Sequence, residues 1–315
     1  MGLEAIMASG SHQAVSEFAA QLRQHLSPES VVRQNENLAR HTTLRVGGPA
    51  DLYLEPHLES DLQAALQFCS ENNLRVLVVG RGSNLLVRDS GFRGVVISLA
   101  QPAFGRIEVT VPVLRCGAGA RLKTVSVEAK RNGITGLEFL EGIPGSVGGA
   151  LRMNAGAMGG AIFDIVQSLR VMDLRGSISE PKPADLDVKY RGCGSLKSQI
   201  ALSAVLQGRP GQREEIERKM NEFSRKRWSS QPAAPSAGCM FKNPVTIPAG
   251  KLIEELGLKG TRVGGAVVSA EHGNFLINDG TATARDVLEL IELIRQRARS
   301  ARAIELETEV EIIGE

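Results

Sequence analysis

Leu74-Arg75-Val76-Leu77-Val78-Val79 runs directly into Gly80-Arg81-Gly82-Ser83-Asn84. The first stretch is short, apolar and rich in β-branched residues, so it reads as a buried strand. The second is a glycine turn at the strand's end. Without a Cβ, backbone N–H groups in such a turn can approach a phosphate closely. The turn is not a Walker A loop, because no Gly-Lys-Ser/Thr follows it. It also lacks the third glycine of the dinucleotide fingerprint, since Leu85 stands there. Gly117-Ala118-Gly119 fails the same test. A third cluster spans Gly142-Ile143-Pro144-Gly145-Ser146-Val147-Gly148-Gly149-Ala150, and Asn154-Ala155-Gly156-Ala157 follows. Taken singly, each cluster reads as a tight structural turn. Three of them without a lysine-centred phosphate motif point to a large cofactor carrying a diphosphate.

Outward from this region the periodicity changes. Val15, Phe18, Ala19, Leu22 and Leu26 recur at helical spacing over Gln13–Leu26. A second helix is expected from a Ser60 N-cap to about Asn72, with Leu62, Ala65, Leu66 and Cys69 inward. Val95–Leu99, Ile107–Val111 and Val113–Cys116 read as strands, and Ala120–Asn132 as a helix stopped by Gly133. Two more strands lie near Ser168–Leu174 and Gln199–Leu206. Gly211–Arg227 is a charged helix, and Ser229–Gly238, rich in Pro, Ser and Ala, reads as a linker. Beyond it come a short helix (Leu252, Ile253, Leu256), a strand over Asn274–Asn278 and a long helix. Thr283 caps that helix, with Asp286 three residues on and Val287, Leu290, Ile291 and Ile294 buried. The expected class is α+β in two parts, split near residues 208–238.

The chain has 315 residues, 42% of them hydrophobic, which is enough for a substantial core. Its 37 basic and 35 acidic residues leave a net charge of +2. That balance argues against nucleic acid and anionic membrane as partners. No apolar run approaches the roughly 18 residues of a spanning helix. The start, Met1 to Gly10, has no basic segment ahead of its apolar residues and an early Glu4, so a secretory signal is not expected. The four cysteines, Cys69, Cys116, Cys193 and Cys239, are too scattered for structural zinc and too few for a disulfide scaffold. No metal is expected, and free thiols in the cytoplasm are.

In Ile304-Glu305-Leu306-Glu307-Thr308-Glu309-Val310-Glu311-Ile312, acidic residues alternate with mostly apolar ones. As one strand this sets four glutamates on one face, about 6.5–7 Å apart. Periodicity alone favours an edge strand with a solvated face. The sharper alternative buries one glutamate in a cleft. Neighbouring charge and desolvation would then raise its pKa and suit it to proton transfer.

Read together, these segments resemble the UDP-N-acetylenolpyruvoylglucosamine reductases of peptidoglycan synthesis. The resemblance runs from about Leu38 to Ile312. It rests on His41-Thr42-Thr43-Leu44-Arg45-Val46-Gly47-Gly48-Pro49-Ala50, the Gly80–Leu86 turn, Gly142–Ala150 and Asn154-Ala155-Gly156. Tyr190-Arg191, Gly238-Cys239-Met240-Phe241-Lys242-Asn243-Pro244, His272-Gly273-Asn274-Phe275 and Leu306-Glu307-Thr308-Glu309-Val310 complete the series. The short span between Gly142 and Tyr190 is similar to the compact type, without an extra substrate-covering insertion.

The resemblance implies a fold and an organisation. Residues 1–30 would be an N-terminal helix. Residues 31–210 would form an FAD-binding region of the vanillyl-alcohol-oxidase type, in subdomains of about 31–95 and 96–210. Residues 211–303 would be a smaller α+β substrate-binding domain, and 304–315 a strand returning to the active site. The implied reaction uses NADPH to reduce FAD, and the flavin then passes hydride to the enolpyruvyl group of UDP-N-acetylglucosamine enolpyruvate. A monomer is expected. An FAD-dependent oxidase on the same cofactor fold, and a non-catalytic nucleotide-sugar-binding relative, are the alternatives.

The resemblance also implies roles. Gly80, Arg81, Gly82, Ser83 and Asn84 would hold the FAD diphosphate together with Gly145, Ser146, Gly148 and Gly149. Hydride addition to C3 leaves negative charge at C2, which needs a fixed cation or preorganised donors. Arg191 matches that cation and Glu309 the carboxyl group beside it. For Arg191 the alternative is a surface charge in a loop bounded by Gly192 and Gly194. Tyr190, Lys242 and Asn243 would contact substrate. The proton donor to C2 is serine in most relatives, and Cys239 stands there in this chain. A thiol with a pKa of about 8.5 is far more acidic than an alcohol, so the same chemistry is available. Cys193 and Met158 are two further departures, and neither carries an implied chemical role.

Overall fold

The computed structural model describes residues 12–315, so the readings of Met1–Gly10 lie outside it. The described chain divides into two compact units. The first comprises the described residues through Asn35, with Asp51–Arg81 and Gly94–Lys226. The second comprises Glu36–Ala50, Gly82–Arg93 and Arg227–Glu315.

In the first unit, a four-stranded sheet has the order Val31–Asn37, Pro49–Glu55, Phe92–Ser98, Val76–Val79. Its last two strands are parallel, with Val76 opposite Val95 and Val79 opposite Ser98. The helix Glu59–Glu71 makes the crossover to Val76 and buries Leu62, Ala65, Leu66 and Cys69 at helical spacing. The helix His12–Gln24 buries Val15, Phe18, Ala19 and Leu22, and the Phe18 and Phe68 rings meet edge-on at 6.4 Å. A second, antiparallel sheet has the order Ile178–Ser179, Val166–Asp173, Gln199–Gln207, Val113–Gly117, Ile107–Thr110. The helix Leu122–Arg131 adds Leu122, Val125 and Ala129 to the same core. Each fully buried Leu, Val or Phe in it contributes about 1.5–3 kcal/mol.

The second unit is built on an antiparallel sheet ordered Ser236–Cys239, Phe275–Asn278, Ala266–Val268, Arg262–Val263. The helix Ala284–Arg302 supplies Val287, Leu290, Ile291 and Ile294 to this unit's own core. Its capping box is closed: Thr283 Oγ1 accepts from Asp286 N at 3.1 Å, and Asp286 Oδ2 from Thr283 N at 2.9 Å. Asp89 also accepts from Ala284 N and Arg285 N, at 2.8 and 2.9 Å. The strand Glu311–Ile313 pairs in parallel with Leu85–Val87. Among the described residues, no helix is long and apolar enough to cross a membrane.

Several expectations need correcting. The two compact units are each discontinuous in sequence. Glu36–Ala50 and Gly82–Arg93 cluster with the C-terminal part, and the boundary at Lys226/Arg227 falls inside the helix Arg213–Ser230. Ser60 does not cap its helix. Leu58 is the N-cap residue, and Asp61 Oδ2 accepts the Leu58 N–H at 2.9 Å. Asp61 also accepts from Ser27 N and Oγ. Burial pushes its pKa up, but those hydrogen bonds outweigh burial and the net shift is down. The Ser229–Gly238 stretch is linker only in its middle, because the helix continues to Ser230 and a strand starts at Ser236. Within the glycine-rich tract, Val147–Met153 is a helix that composition hid.

The glutamate segment is not one strand. Thr308 bridges Phe241, the chain bends at Glu309 and Val310, and only Glu311–Ile313 is strand. Glu305 pairs with Arg299 at 2.5 Å and Glu307 with Lys242 at 3.0 Å. Arg299 holds the Glu305 carboxyl below its ordinary range, the opposite of the shift a stack of like charges would give.

Candidate active site

The first unit brings most of the glycine motifs together. Gly80 follows the strand Val76–Val79, and a Cβ there would sit 2.7 Å from Ser146 Oγ and 4.0 Å from Gly149 Cα. The strand end and the start of the helix Val147–Met153 are thus apposed with only the Ser146 hydroxyl between them. The 145–148 turn is nailed to the segment before Leu122. Leu122 N donates to Gly145 O at 3.2 Å, Val147 N to Ala120 O at 2.9 Å and Gly148 N to Ala118 O at 2.8 Å. Gly148 therefore spends its N–H on the scaffold. Ser146 makes no side-chain cap to its own helix.

Two cations stand at this cradle. Partial desolvation and the like charge of Arg121 hold the Arg81 guanidinium below its ordinary pKa. Arg121 is bridged through its backbone to Ser146, and among the described residues no carboxylate pairs with either arginine. Bare backbone, a hydroxyl and two uncompensated positive charges fit a diphosphate-bearing cofactor such as FAD. Sequence reasoning missed Arg121, which carries no motif of its own.

The same unit presents Arg191. Val188–Lys189 and Gly192–Cys193 form a hairpin whose two-residue turn is Tyr190-Arg191. Arg191 sits at φ +58°, an uncommon region for a residue with a Cβ. Its guanidinium lies 5.1 Å from the Tyr190 ring centroid, within cation–π range, and Nη1 is 3.4 Å from Gly156 O. Asn154 Nδ2 donates to Lys189 O at 3.1 Å, tying the hairpin to the segment after the helix. Arg191 is half-buried, whereas Tyr190 is 60% exposed.

The second unit brings Cys239 and Glu309 onto neighbouring segments. Cys239 closes the strand Ser236–Cys239, opposite Phe275, after an irregularity in register. Met240 N donates to Asn274 O at 2.8 Å, and the Asn274 carboxamide clasps Phe241 N and O at 2.9 and 2.8 Å. On the other side Glu309 N donates to Met240 O at 2.8 Å and Lys242 N to Glu307 O at 2.9 Å. The residues after Cys239 are thus held between Asn274 and the 307–309 segment. Glu309 and Cys239 are both half-buried. Burial pushes the Cys69 and Cys116 thiols up to about 12 and raises Cys193 as well, so those three are poor nucleophiles.

Other expected contacts have local employment. Lys242 Nζ is engaged by Glu307, and Asn243 Oδ1 accepts from Ala249 N at 3.0 Å, near the start of the helix Ala249–Glu255. His41 pairs with Glu36 at 2.8 Å. His272 Nδ1 accepts from Asn274 N at 3.1 Å, so its ring proton belongs on Nε2. Burial, then Lys259, lowers its pKa.

Comparison with known proteins now decides the family. Residues 231–313 match the profile of the UDP-N-acetylenolpyruvoylglucosamine reductase C-terminal domain, and residues 50–180 match an FAD binding domain. A UDP-N-acetylenolpyruvoylglucosamine reductase of Syntrophomonas wolfei is 40% identical over 290 residues, 91% of this chain and 97% of that one. The chain belongs to the UDP-N-acetylenolpyruvoylglucosamine reductase family. A second reductase of this name, from Heliobacterium modesticaldum, is 45% identical over 285 residues, 90% of each chain. The crystal structure of the Thermus caldophilus reductase superposes with a TM-score of 0.80 at 38% identity, covering 90% of this chain and all of that one. Membership brings the α+β class with an FAD binding domain.

Proposed function

We propose that Arg191, Glu309 and Cys239 carry the family's reaction in this chain. That reaction is the NADPH-driven reduction of UDP-N-acetylglucosamine enolpyruvate to UDP-N-acetylmuramate, a step of peptidoglycan precursor synthesis. FAD, when bound, would supply the hydride chemistry that links NADPH to C3 of the enolpyruvyl group. The protein's task is to tolerate and then quench the charge this leaves at C2. Arg191 neutralises the enolate-like charge spread into the substrate carboxylate, and its Tyr190 and Gly156 contacts keep the guanidinium in place beforehand. Cys239 delivers the proton to C2 from Sγ, and Glu309 supplies the carboxyl group beside the developing charge. Arg81 and Arg121 offset the cofactor's diphosphate, with Gly80, Gly145, Ser146 and Gly149 along its path. Tyr190, Lys242 and Asn243 contact substrate.

The observation that carries this reading is the shared hydrogen-bonded segment of Cys239 and Glu309, with the only one of the four thiols that is not fully buried. Charged, water-soluble nucleotides as co-substrates support work in the cytoplasm. The test is product formation in D2O by Cys239→Ser and Cys239→Ala. Serine should keep part of the rate, and alanine should lose about 10²–10⁴-fold, the usual worth of a positioned acid. Full-rate deuteration at C2 by the alanine variant would remove Cys239 from the mechanism.

A further inference from the structure

The Gly82-Ser83-Asn84 turn carries hydrogen bonds to the C-terminal segment. Asn84 Nδ2 donates to Glu309 O at 3.1 Å, and Asn84 O accepts from Glu311 N at 3.0 Å. Glu309 lies where the chain bends between two pairings, the Thr308–Phe241 bridge on one side and the strand Glu311–Ile313 on the other. At such a bend the ladder that would hold the backbone is interrupted. Asn84 spans the gap, gripping the chain at residues 309 and 311. The other flank of the turn is tied as firmly. Thr43 N donates to Gly82 O at 3.1 Å, and Thr43 Oγ1 to Ser236 O at 2.6 Å, at the start of the strand that ends in Cys239. Gly82 has φ +62°, and a Cβ there would collide with the His41 carbonyl, so the turn is seated against the 41–43 segment as well.

We infer that Asn84 is a positioning residue for Glu309, and that the Gly82–Asn84 turn, with Thr43, aligns the Glu309 segment with the Cys239 strand. The inference rests on the roles given to Glu309 and Cys239 above. Its chemical content is specific. The side-chain N–H of Asn84 is the feature that matters, and an aspartate of the same size, which offers only acceptors when ionised, cannot replace it.

Anaerobic stopped-flow on the FAD-loaded Asn84→Asp and Asn84→Ala enzymes separates this role from cofactor binding. Bleaching of the flavin by NADPH and release of FAD on dilution should stay within about twofold of the unaltered enzyme. Recovery of the flavin absorbance on adding UDP-N-acetylglucosamine enolpyruvate should slow about 10-fold in both variants, the scale of one lost hydrogen bond. Thr43→Val, which removes the other tie at nearly constant volume, should show the same split. If FAD release quickens and bleaching slows in step with recovery, Asn84 serves the cofactor and the inference falls. Unchanged recovery in all three variants overturns it as well. An unaltered enzyme whose flavin never recovers with this substrate takes down the reaction reading beneath it, a result visible without any variant.

Discussion

The cradle at Gly80 and the bend at Glu309 are built by opposite means. At Gly80 the protein leaves a side chain out: the strand end faces Ser146 Oγ across a gap in which a Cβ would meet that hydroxyl at 2.7 Å, and charge comes from Arg81 and Arg121. At Glu309 it adds side chains, with Asn84, Asn274 and Thr43 reaching from distant segments to fix a stretch of irregular backbone. Backbone-built sites tolerate little substitution at glycine but write themselves into the sequence. Clamp-built sites leave ordinary residues at ordinary-looking positions, and their meaning appears only when the partners are known.

The largest effect that would sharpen this contrast belongs to Arg191. Arg191→Ala should slow flavin reoxidation by substrate about 10³-fold, because it removes the fixed cation facing charge developed in the transition state. Bleaching by NADPH, followed at the same wavelength, should change little. Equal loss in both half-reactions would place Arg191 with the cradle instead.

Next comes Asn274, 2% exposed and bonded to both polar groups of Phe241. Asn274→Ala strands a buried N–H and a buried C=O, which costs about 2–4 kcal/mol of stability. Chemical denaturation should register that loss while leaving FAD binding to the folded protein intact. Gly80→Ala should do the reverse. A Cβ 2.7 Å from Ser146 Oγ displaces that hydroxyl and fills the cradle, and FAD affinity should fall about 10-fold, with part regained in the Gly80→Ala/Ser146→Ala pair. If the two variants cannot be told apart by these readouts, the contrast drawn here is wrong.

The smallest effect is a pH dependence in the clamp region. His272 has a lowered pKa when folded, chiefly through burial, so the unfolded chain takes up a proton first as pH falls. Its neutral form therefore stabilises the protein fully above about pH 6.5, and that contribution is lost as pH drops below it toward the folded value. Urea midpoints measured from pH 7.5 to 5 should decline, and less so in His272→Gln. Identical slopes would show that His272 is not a source of the decline.

Much of the fold was legible because local signals agreed with tertiary demand. The Thr283/Asp286 box, the Gly133 stop and the apolar faces of Glu59–Glu71 and Ala284–Arg302 all stand where periodicity put them. The failures have physical causes. Val147–Met153 is helical despite its glycines because packing of Val147, Ala150 and Leu151 outweighs weak propensity. The glutamate alternation looked like a strand, but Lys242 and Arg299 neutralise two of its members and the chain bends at Glu309. The glycine turn at 80–84 was visible, while its division between units and the grip of Asn84 on a residue 225 positions away were not. No local pattern encodes such a pairing. The roles of Arg191, Cys239 and Glu309 came from resemblance alone, since each by itself is an unremarkable residue in an irregular segment.

The most direct test of the central claim is an anaerobic visible spectrum of the purified protein, recorded after NADPH and again after UDP-N-acetylglucosamine enolpyruvate. The account predicts a yellow flavin that bleaches with NADPH and recovers in full on adding the enolpyruvyl substrate. A flavin that bleaches but recovers only when oxygen is admitted, or a protein that takes up no FAD, would contradict it.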